Sequence, residues 1–172
     1  MTKQTVGKEL ATAARKAKLC KPWLTEMSKT EDIKTLCEMY FKGDDWAMEK
    51  DFPNLTTLRK YKGETEAHGL HTDFNGTVGF VNGSQQNAAF FGKSEAQVDC
   101  APFTTGTIIV RHDSKVKISA PENVFLVVNL LDNAFVEVEA GENSKVSIYQ
   151  YGTESSFRIT GNVEVKEGKW QK

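Results

Sequence analysis

The sequence is poor in the features that mark secreted, membrane-spanning or disulfide-stabilised proteins. Cysteine occurs only 3 times in 172 residues, with no CxxC spacing, so we expect buried or incidental thiols rather than disulfides or a metal site. The longest apolar run, Val124 to Leu131, has the length of a strand and contains Asn129; a bilayer span needs roughly 18–20 residues. The first residues lack an apolar signal region. We therefore expect a protein with no membrane partner that stays in the cytoplasm or leaves it as part of an assembly.

The sequence also lacks an excess of charge of either sign. Lys and Arg together number 22, Asp and Glu together number 23, and the net charge is −1. A near-neutral chain without a cationic block has no electrostatic reason to bind phosphate backbones. We therefore expect no nucleic-acid partner.

Residues 1–62 have the periodicity of short helices. Apolar residues between positions 33 and 41 recur at the i, i+3, i+4, i+7 spacing of one helix face: Ile33, Leu36, Cys37, Tyr40 and Phe41. Ser28 and Glu31 form an S-x-x-E capping box that is expected to start this helix, and Gly43 is expected to end it.

Three further segments of this region also have helical patterns. The alanine-rich stretch from Thr2 to Leu19 is amphipathic. Asp44 or Asp45 is expected to cap a short helix that ends near Phe52-Pro53. Residues Asn54 to Tyr61 predict another short helix. Because such helices are marginal alone, they need a surface on which to pack.

From Gly76 onward the period of the apolar residues changes to two, which is typical of strands. The inward residues form two series of short strands, and successive members of a series lie about 17 to 21 residues apart. The first series is Ala88/Phe90, Ile108/Val110, Leu126/Val128, Val146/Ile148 and Val163/Val165. The second series is Val98/Cys100, Val116/Ile118, Val136/Val138 and Phe157/Ile159. A repeat of this length with two strands predicts a solenoid, because one coil cannot bury its own apolar face.

The predicted fold class is therefore α+β, with a helical region (1–62), a connector (63–76) and a β-solenoid of about four to five coils (77–170). The alternative is an antiparallel β-sandwich or jelly roll, whose strands also recur at short intervals. Alternating charges at the outward centre of the second strand favour the solenoid, because they would form an ion-pair ladder between stacked coils: Asp99, Lys117, Glu137 and Arg158.

The first strand of the early repeats is apolar on its outward face as well. Exposure of Phe91, Ile109, Phe125 and Val127 would forgo several kcal/mol and favour aggregation. We expect a cover, either the N-terminal helices or a subunit interface of a homodimer or homotrimer. Arg111 and His112 lie at the turn that follows the strand containing Ile109. An aromatic ring such as that of Tyr149 can stack on a ligand. The candidate binding and interface residues are Phe91, Ile109, Val127, Arg111, His112 and Tyr149.

Catalytic chemistry is poorly represented. His68, His71 and Asp73 are weak candidates for a metal site, since H-x-x-H is a possible ligand pair, but no further ligand has suitable spacing. The His112-Asp113 pair lacks a nucleophile or a water site. We therefore expect no enzyme, no cofactor and no bound metal.

Several turns of the repeats contain distinctive sequence motifs. These are V-R-H-D-S-K at Val110 to Lys115, D-N-A at Asp132 to Ala134 before V-E-V, and Q-Y-G at Gln150 to Gly152. The first half adds Y-x-K-G at Tyr40 to Gly43 and D-F-P at Asp51 to Pro53. In these motifs the chain resembles small β-solenoid proteins encoded by gut Bacteroidales and by their phages and prophages. The resemblance implies a solenoid and a phage or prophage setting, and no particular activity.

The leading hypothesis is a non-enzymatic structural or interaction protein of a phage or prophage. Its solenoid surface would bind a protein partner or a second copy, in the cytoplasm of the host bacterium or in the virion. One alternative is an anti-defence protein that sequesters a nucleotide signal or binds a host immune protein. Another is a carbohydrate-binding module.

Overall fold

The computed structural model describes residues 5–81 and 85–170. The chain divides after His68 into a helical unit, with which Trp170 groups, and a strand-rich unit, Gly69–Lys169. The helices of the first unit are α1 Val6–Lys16, α2 Lys21–Lys29, α3 Ile33–Lys42, α4 Asp44–Lys50, α5 Leu55–Lys60, α6 Lys62–Thr65 and a 3₁₀ helix Glu66–His68. None of the described helices is long and apolar enough to cross a membrane.

Most helices follow the predicted pattern, but the start of α3 differs. Its N-cap is Asp32, whose carboxylate accepts hydrogen bonds from the main-chain N–H groups of Lys34 (3.4 Å) and Thr35 (3.0 Å). Ser28 instead lies in α2, where its hydroxyl donates to the Thr25 carbonyl. The predicted capping box is therefore wrong. Helix α2 itself was not predicted; proline near its first position is the only start signal it carries.

The helical unit has its own apolar core. Its buried members are Leu10, Ala11, Ala14, Met27, Leu36 and Met39. Helix α1 approaches α2 closely at Gly7, where an added Cβ would lie 1.9 Å from the Thr30 carbonyl oxygen. Only glycine permits this distance, because any side chain would overlap the backbone of α2.

The second unit is a parallel β-solenoid, which confirms the predicted fold. Its strands are β1 Leu70–Thr72, β2 Asn75–Phe80, β3 Gln85–Phe91, β4 Glu95–Cys100, β5 Thr105–Val110, β6 Lys115–Ala120, β7 Phe125–Leu130, β8 Phe135–Ala140, β9 Lys145–Gln150, β10 Ser156–Gly161 and β11 Val163–Glu167. Odd-numbered strands form one sheet and even-numbered strands the other. Every described strand pair is parallel, which rules out the antiparallel sandwich.

The coil length explains the register. From β2 to β9 the strands begin ten residues apart, at positions 75, 85, 95, 105, 115, 125, 135 and 145, so one coil has twenty residues. The solenoid begins earlier than predicted, since the segment 63–76 contains α6, the 3₁₀ helix, β1 and the start of β2. The last coil departs from this spacing because its turn after β9 is longer and its turn after β10 is shorter.

Inward residues of the two sheets form one continuous core. Ile108, Val128 and Ile148 stack in one column and are completely buried. Val98, Ile118 and Val138 form the matching column of the other sheet. The predicted series contained the correct inward residues. However, the steps from Ile108 to Leu126 and from Val98 to Val116 were two residues too short, because the true step is twenty.

The true register also changes the composition of the predicted charge ladder. Lys117 pairs in register with Glu137, and Glu137 with Arg158, as predicted. Asp99, however, pairs with Ser119, and Gln97 stands opposite Lys117. The ladder therefore spans three coils rather than four. Its exposed charges contribute little to stability.

Candidate functional site

One corner of the solenoid is a stack of turns with left-handed backbone. The residues with positive φ that follow the odd-numbered strands are Asp73, Gly92, His112, Asp132 and Gly152. Asp and Asn tolerate this conformation better than other non-glycine residues, and His is also enriched in it. The repeat therefore places polar side chains one above another at this corner.

These side chains bind the main chain of neighbouring coils. The His112 N–H donates to Asp132 Oδ2 at 2.9 Å, and the Gly92 N–H donates to His112 Nδ1 at 3.0 Å. Asp73 Oδ1 accepts from the Lys93 N–H at 2.9 Å. Because Nδ1 of His112 accepts a hydrogen bond, the ring hydrogen lies on Nε2. The corner is thus a ladder of side-chain to main-chain bonds.

Arg111 belongs to the same corner. Only 4% of the residue is exposed, and its Nε donates to Asp132 Oδ2 at 3.0 Å while Nη2 lies 3.5 Å from Oδ1. Both predicted binding residues at this turn, Arg111 and His112, therefore contact Asp132. Sequence reasoning missed Asp132 as their partner, although a strict twenty-residue repeat places it opposite His112.

The residues of the predicted apolar outward face do not stack as one column, because the true step between coils is twenty residues. Ile109 pairs with Asn129, whereas Val127 pairs with Thr107, so the two do not belong to one column. Phe91 is 2% exposed and Ile109 is completely buried within the single chain, while Val127 is 38% exposed. Phe91 and Ile109 therefore offer no free surface, and Val127 is the one of the three that does.

An exposed apolar surface does exist, beginning at Val127. We define the apolar patch as Phe103, Phe125 and Val127, which are 68%, 52% and 38% exposed. Phe125 and Val127 lie on the outward face of β7. Phe103 lies in the turn that leads into β5, the strand that pairs with β7. Contiguous exposed apolar side chains mark interaction surfaces, whereas scattered ones are ordinary; Phe125 and Val127 are neighbours on the outward face of β7.

Tyr149 lies on the same sheet, further along its strand. It pairs in register with Asn129 on one side and Lys166 on the other. The Lys166 ammonium lies 5.6 Å from the Tyr149 ring centroid, within the range of a cation–π contact. The ring is half-buried and already has a cationic neighbour from its own chain.

The weak metal candidates do not form a metal site. The His71 ring is buried, stacks on Phe90 with centroids 5.0 Å apart and contacts Phe74 at 4.7 Å. Burial lowers the pKa of His71 to about 4, which keeps the ring neutral. Asp73 is the turn acceptor already described, and His68 ends the 3₁₀ helix. In the described parts of the chain, no three His, Cys, Asp or Glu side chains are grouped to hold a metal ion.

The cysteines are free thiols. Burial raises the pKa of both Cys37 and Cys100 to about 12. A thiol at that pKa supplies almost no thiolate near neutral pH, so neither is an activated nucleophile.

A cavity in the helical unit was not predicted. Its volume is about 430 Å³, and its most prominent lining side chains are Trp23, Trp46, Phe52, Asp44 and Asp45. The tryptophans come from α2 and α4, which are separated by the whole of α3. Recognition of this cavity from sequence would require the packing of three helices, which periodicity does not provide.

The chain matches no protein-family model, and no curated protein or solved structure is significantly similar to it.

Proposed function

We propose that this protein is a non-enzymatic structural or interaction protein that self-associates through the apolar patch of its solenoid. The observation that carries the proposal is the exposure of Phe103, Phe125 and Val127 at 68%, 52% and 38%. In β6, by contrast, apolar inward residues alternate with polar outward ones, Lys115, Lys117 and Ser119. The patch breaks that alternation where solvent would otherwise favour polar side chains.

The surroundings of the patch favour a second copy of the chain as the partner. Lys145 stands beside Phe125 in register, and its Nζ lies 3.8 Å from a carboxylate oxygen of Glu164. Both signs of charge therefore occur next to the apolar centre. A surface of this kind can pack on itself about a two-fold axis, with each lysine facing the partner's glutamate.

The described chemistry supports a non-enzymatic role. The polar side chains of the corner ladder bind the solenoid's own main chain, the buried thiols have raised pKa values, and the His71 ring is part of the core. Each of these groups has a structural explanation. The resemblance of the turn motifs to phage and prophage proteins supports a setting in the host cytoplasm or the virion.

Sedimentation over a wide concentration range tests the proposal. We expect the wild type to form a dimer or a larger assembly, and the Phe125→Lys/Val127→Lys variant to be a folded monomer with unchanged circular dichroism. A matched control is Thr77→Lys/Thr160→Lys, which places two lysines on exposed outward positions of the other sheet. It should sediment as the wild type does. A wild type that stays monomeric throughout contradicts self-association, as does a patch variant of unchanged mass.

A further inference from the structure

The cavity of the helical unit is built entirely from residues of that unit. It is lined by residues of α2, α3 and α4, by Leu10 of α1 and the segment Lys18 to Cys20, and by Phe52 and Pro53. Buried side chains of Met27, Leu36 and Met39 form its apolar floor. A volume of about 430 Å³ is within the range that encloses a small organic molecule.

Aromatic rings form the walls. Trp46 and Phe52 contact each other with centroids 5.1 Å apart and planes tilted by 57°. The six-membered ring of Trp23 lies over Gly43, 3.6 Å from the position that a Cβ would occupy there. Both tryptophans are only half-buried, so part of each indole is accessible from the cavity side or from solvent. Exposed indole faces are the best aromatic partners for an organic cation.

Two consecutive carboxylates complete the lining. Asp44 is half-buried and is the first residue of α4. Burial, and then the neighbouring charge of Asp45, raise the pKa of Asp44. Neither carboxylate forms an ion pair with any residue in the described part of the chain. Lys18, Lys42 and Asp45 line the cavity and are exposed, so their charged ends can extend into solvent, whereas Asp44 is the charged lining residue that is half-buried.

We propose that this cavity binds a small organic cation, an ammonium group carried on an apolar or aromatic body. The apolar body would occupy the space above Met27 and Met39, and the ammonium would lie between the indole faces and the Asp44 carboxylate. A cation there would relieve the unfavourable burial of the unpaired Asp44 charge. An anion would instead place a second negative charge beside the half-buried Asp44 carboxylate, and a neutral apolar molecule would leave the Asp44 charge desolvated.

The experiment compares a cation with its neutral isostere. Benzyltrimethylammonium and neopentylbenzene have the same shape and differ by the replacement of nitrogen by carbon. Binding to the full chain is followed by saturation-transfer NMR of the ligand and by tryptophan fluorescence. We expect the cation to bind at least about tenfold more tightly than the isostere, the ratio that a desolvated cation–π contact of about 1–2 kcal/mol supplies.

Two variants and one control locate the site. Asp44→Asn/Asp45→Asn should weaken binding of the cation about tenfold and leave binding of the isostere unchanged. Trp46→Leu should weaken both. Asp113→Asn, on an exposed turn of the solenoid, should change neither, and circular dichroism should confirm that all variants fold. Equal affinity for cation and isostere overturns the charge recognition. Absence of binding by either ligand, or binding that survives both pocket variants, overturns the site.

Discussion

His112 and Asp132 occupy the same left-handed turn position one coil apart, and the main-chain N–H of His112 donates to Asp132 Oδ2 at 2.9 Å. The same oxygen accepts from Nε of the buried Arg111 at 3.0 Å. One carboxylate therefore satisfies both a main-chain donor and a buried guanidinium of the preceding coil. This arrangement makes Asp132 a link between two coils at a point where the sheet ladders are interrupted by a turn.

Replacement of Asp132 by asparagine should therefore destabilise the solenoid. Asparagine keeps the size, tolerates positive φ and retains one acceptor, but it removes the charge that pairs with Arg111. We expect a loss of about 1.5–3 kcal/mol in the free energy of unfolding, measured by chemical denaturation. Asp113→Asn at the adjacent exposed position should change stability by less than about 0.5 kcal/mol. Equal effects of the two substitutions would contradict the proposed link.

The sequence was sufficient to predict which residues face the solenoid core, because strict alternation assigns Ile108, Val128 and Ile148 to the same side. It was not sufficient to set the register between coils. A step of eighteen residues and a step of twenty both place an inward residue opposite an inward residue, and only hydrogen bonding between coils distinguishes them. For this reason Val127 was grouped with Ile109, whose true neighbour is Asn129.

The start of the solenoid and the cavity were missed for different physical reasons. Strand β1 has three residues, one of them His71, and β2 contains Gly76 and Gly79, so neither has the composition of a strand. The cavity depends on tertiary packing that brings Trp23 and Trp46 to one space. Helix periodicity identifies a buried face, but it does not show where packing leaves a gap.

The buried His71 should make stability depend on pH. Burial lowers the pKa of its ring from 6.5 to about 4. Between these values the unfolded chain binds a proton that the folded chain excludes, so the free energy of unfolding decreases as the pH falls through this window. The total loss approaches about 3 kcal/mol and levels off below the folded pKa. In His71→Leu this contribution is absent. Denaturation at several pH values measures the free energy of unfolding of the wild type and of His71→Leu. If the two free energies differ by the same amount from neutral pH to pH 4, His71 is not the cause of the pH dependence.

Close approach between coils should make Gly141 irreplaceable. An added Cβ at Gly141 would lie 1.7 Å from the Pro121 carbonyl oxygen of the preceding coil. Alanine would force the backbones of two coils apart, and we expect a loss of about 1–3 kcal/mol or more in unfolding free energy. Gly79→Ala is the matched control, since an added Cβ there meets no atom within 4 Å, and it should alter stability by less than about 0.5 kcal/mol. Thermal and chemical unfolding of both variants would test this contrast, and comparable losses would contradict it.

The last coil should be the weakest part of the core. Ile118 and Ile159 occupy the same inward column, joined in register through Val138, yet Ile118 is completely buried and Ile159 is 38% exposed. A central position has a coil on both sides, whereas β10 is the edge strand of its sheet and has one on a single side. We therefore expect Ile118→Ala to cost about 3–4 kcal/mol and Ile159→Ala about 1 kcal/mol in chemical denaturation. Hydrogen exchange should show the same gradient, with the amides of β10 opening more readily than those of β6. Equal losses for the two isoleucines would mean that another chain covers the end of the solenoid in solution, and dilution would then separate the two values.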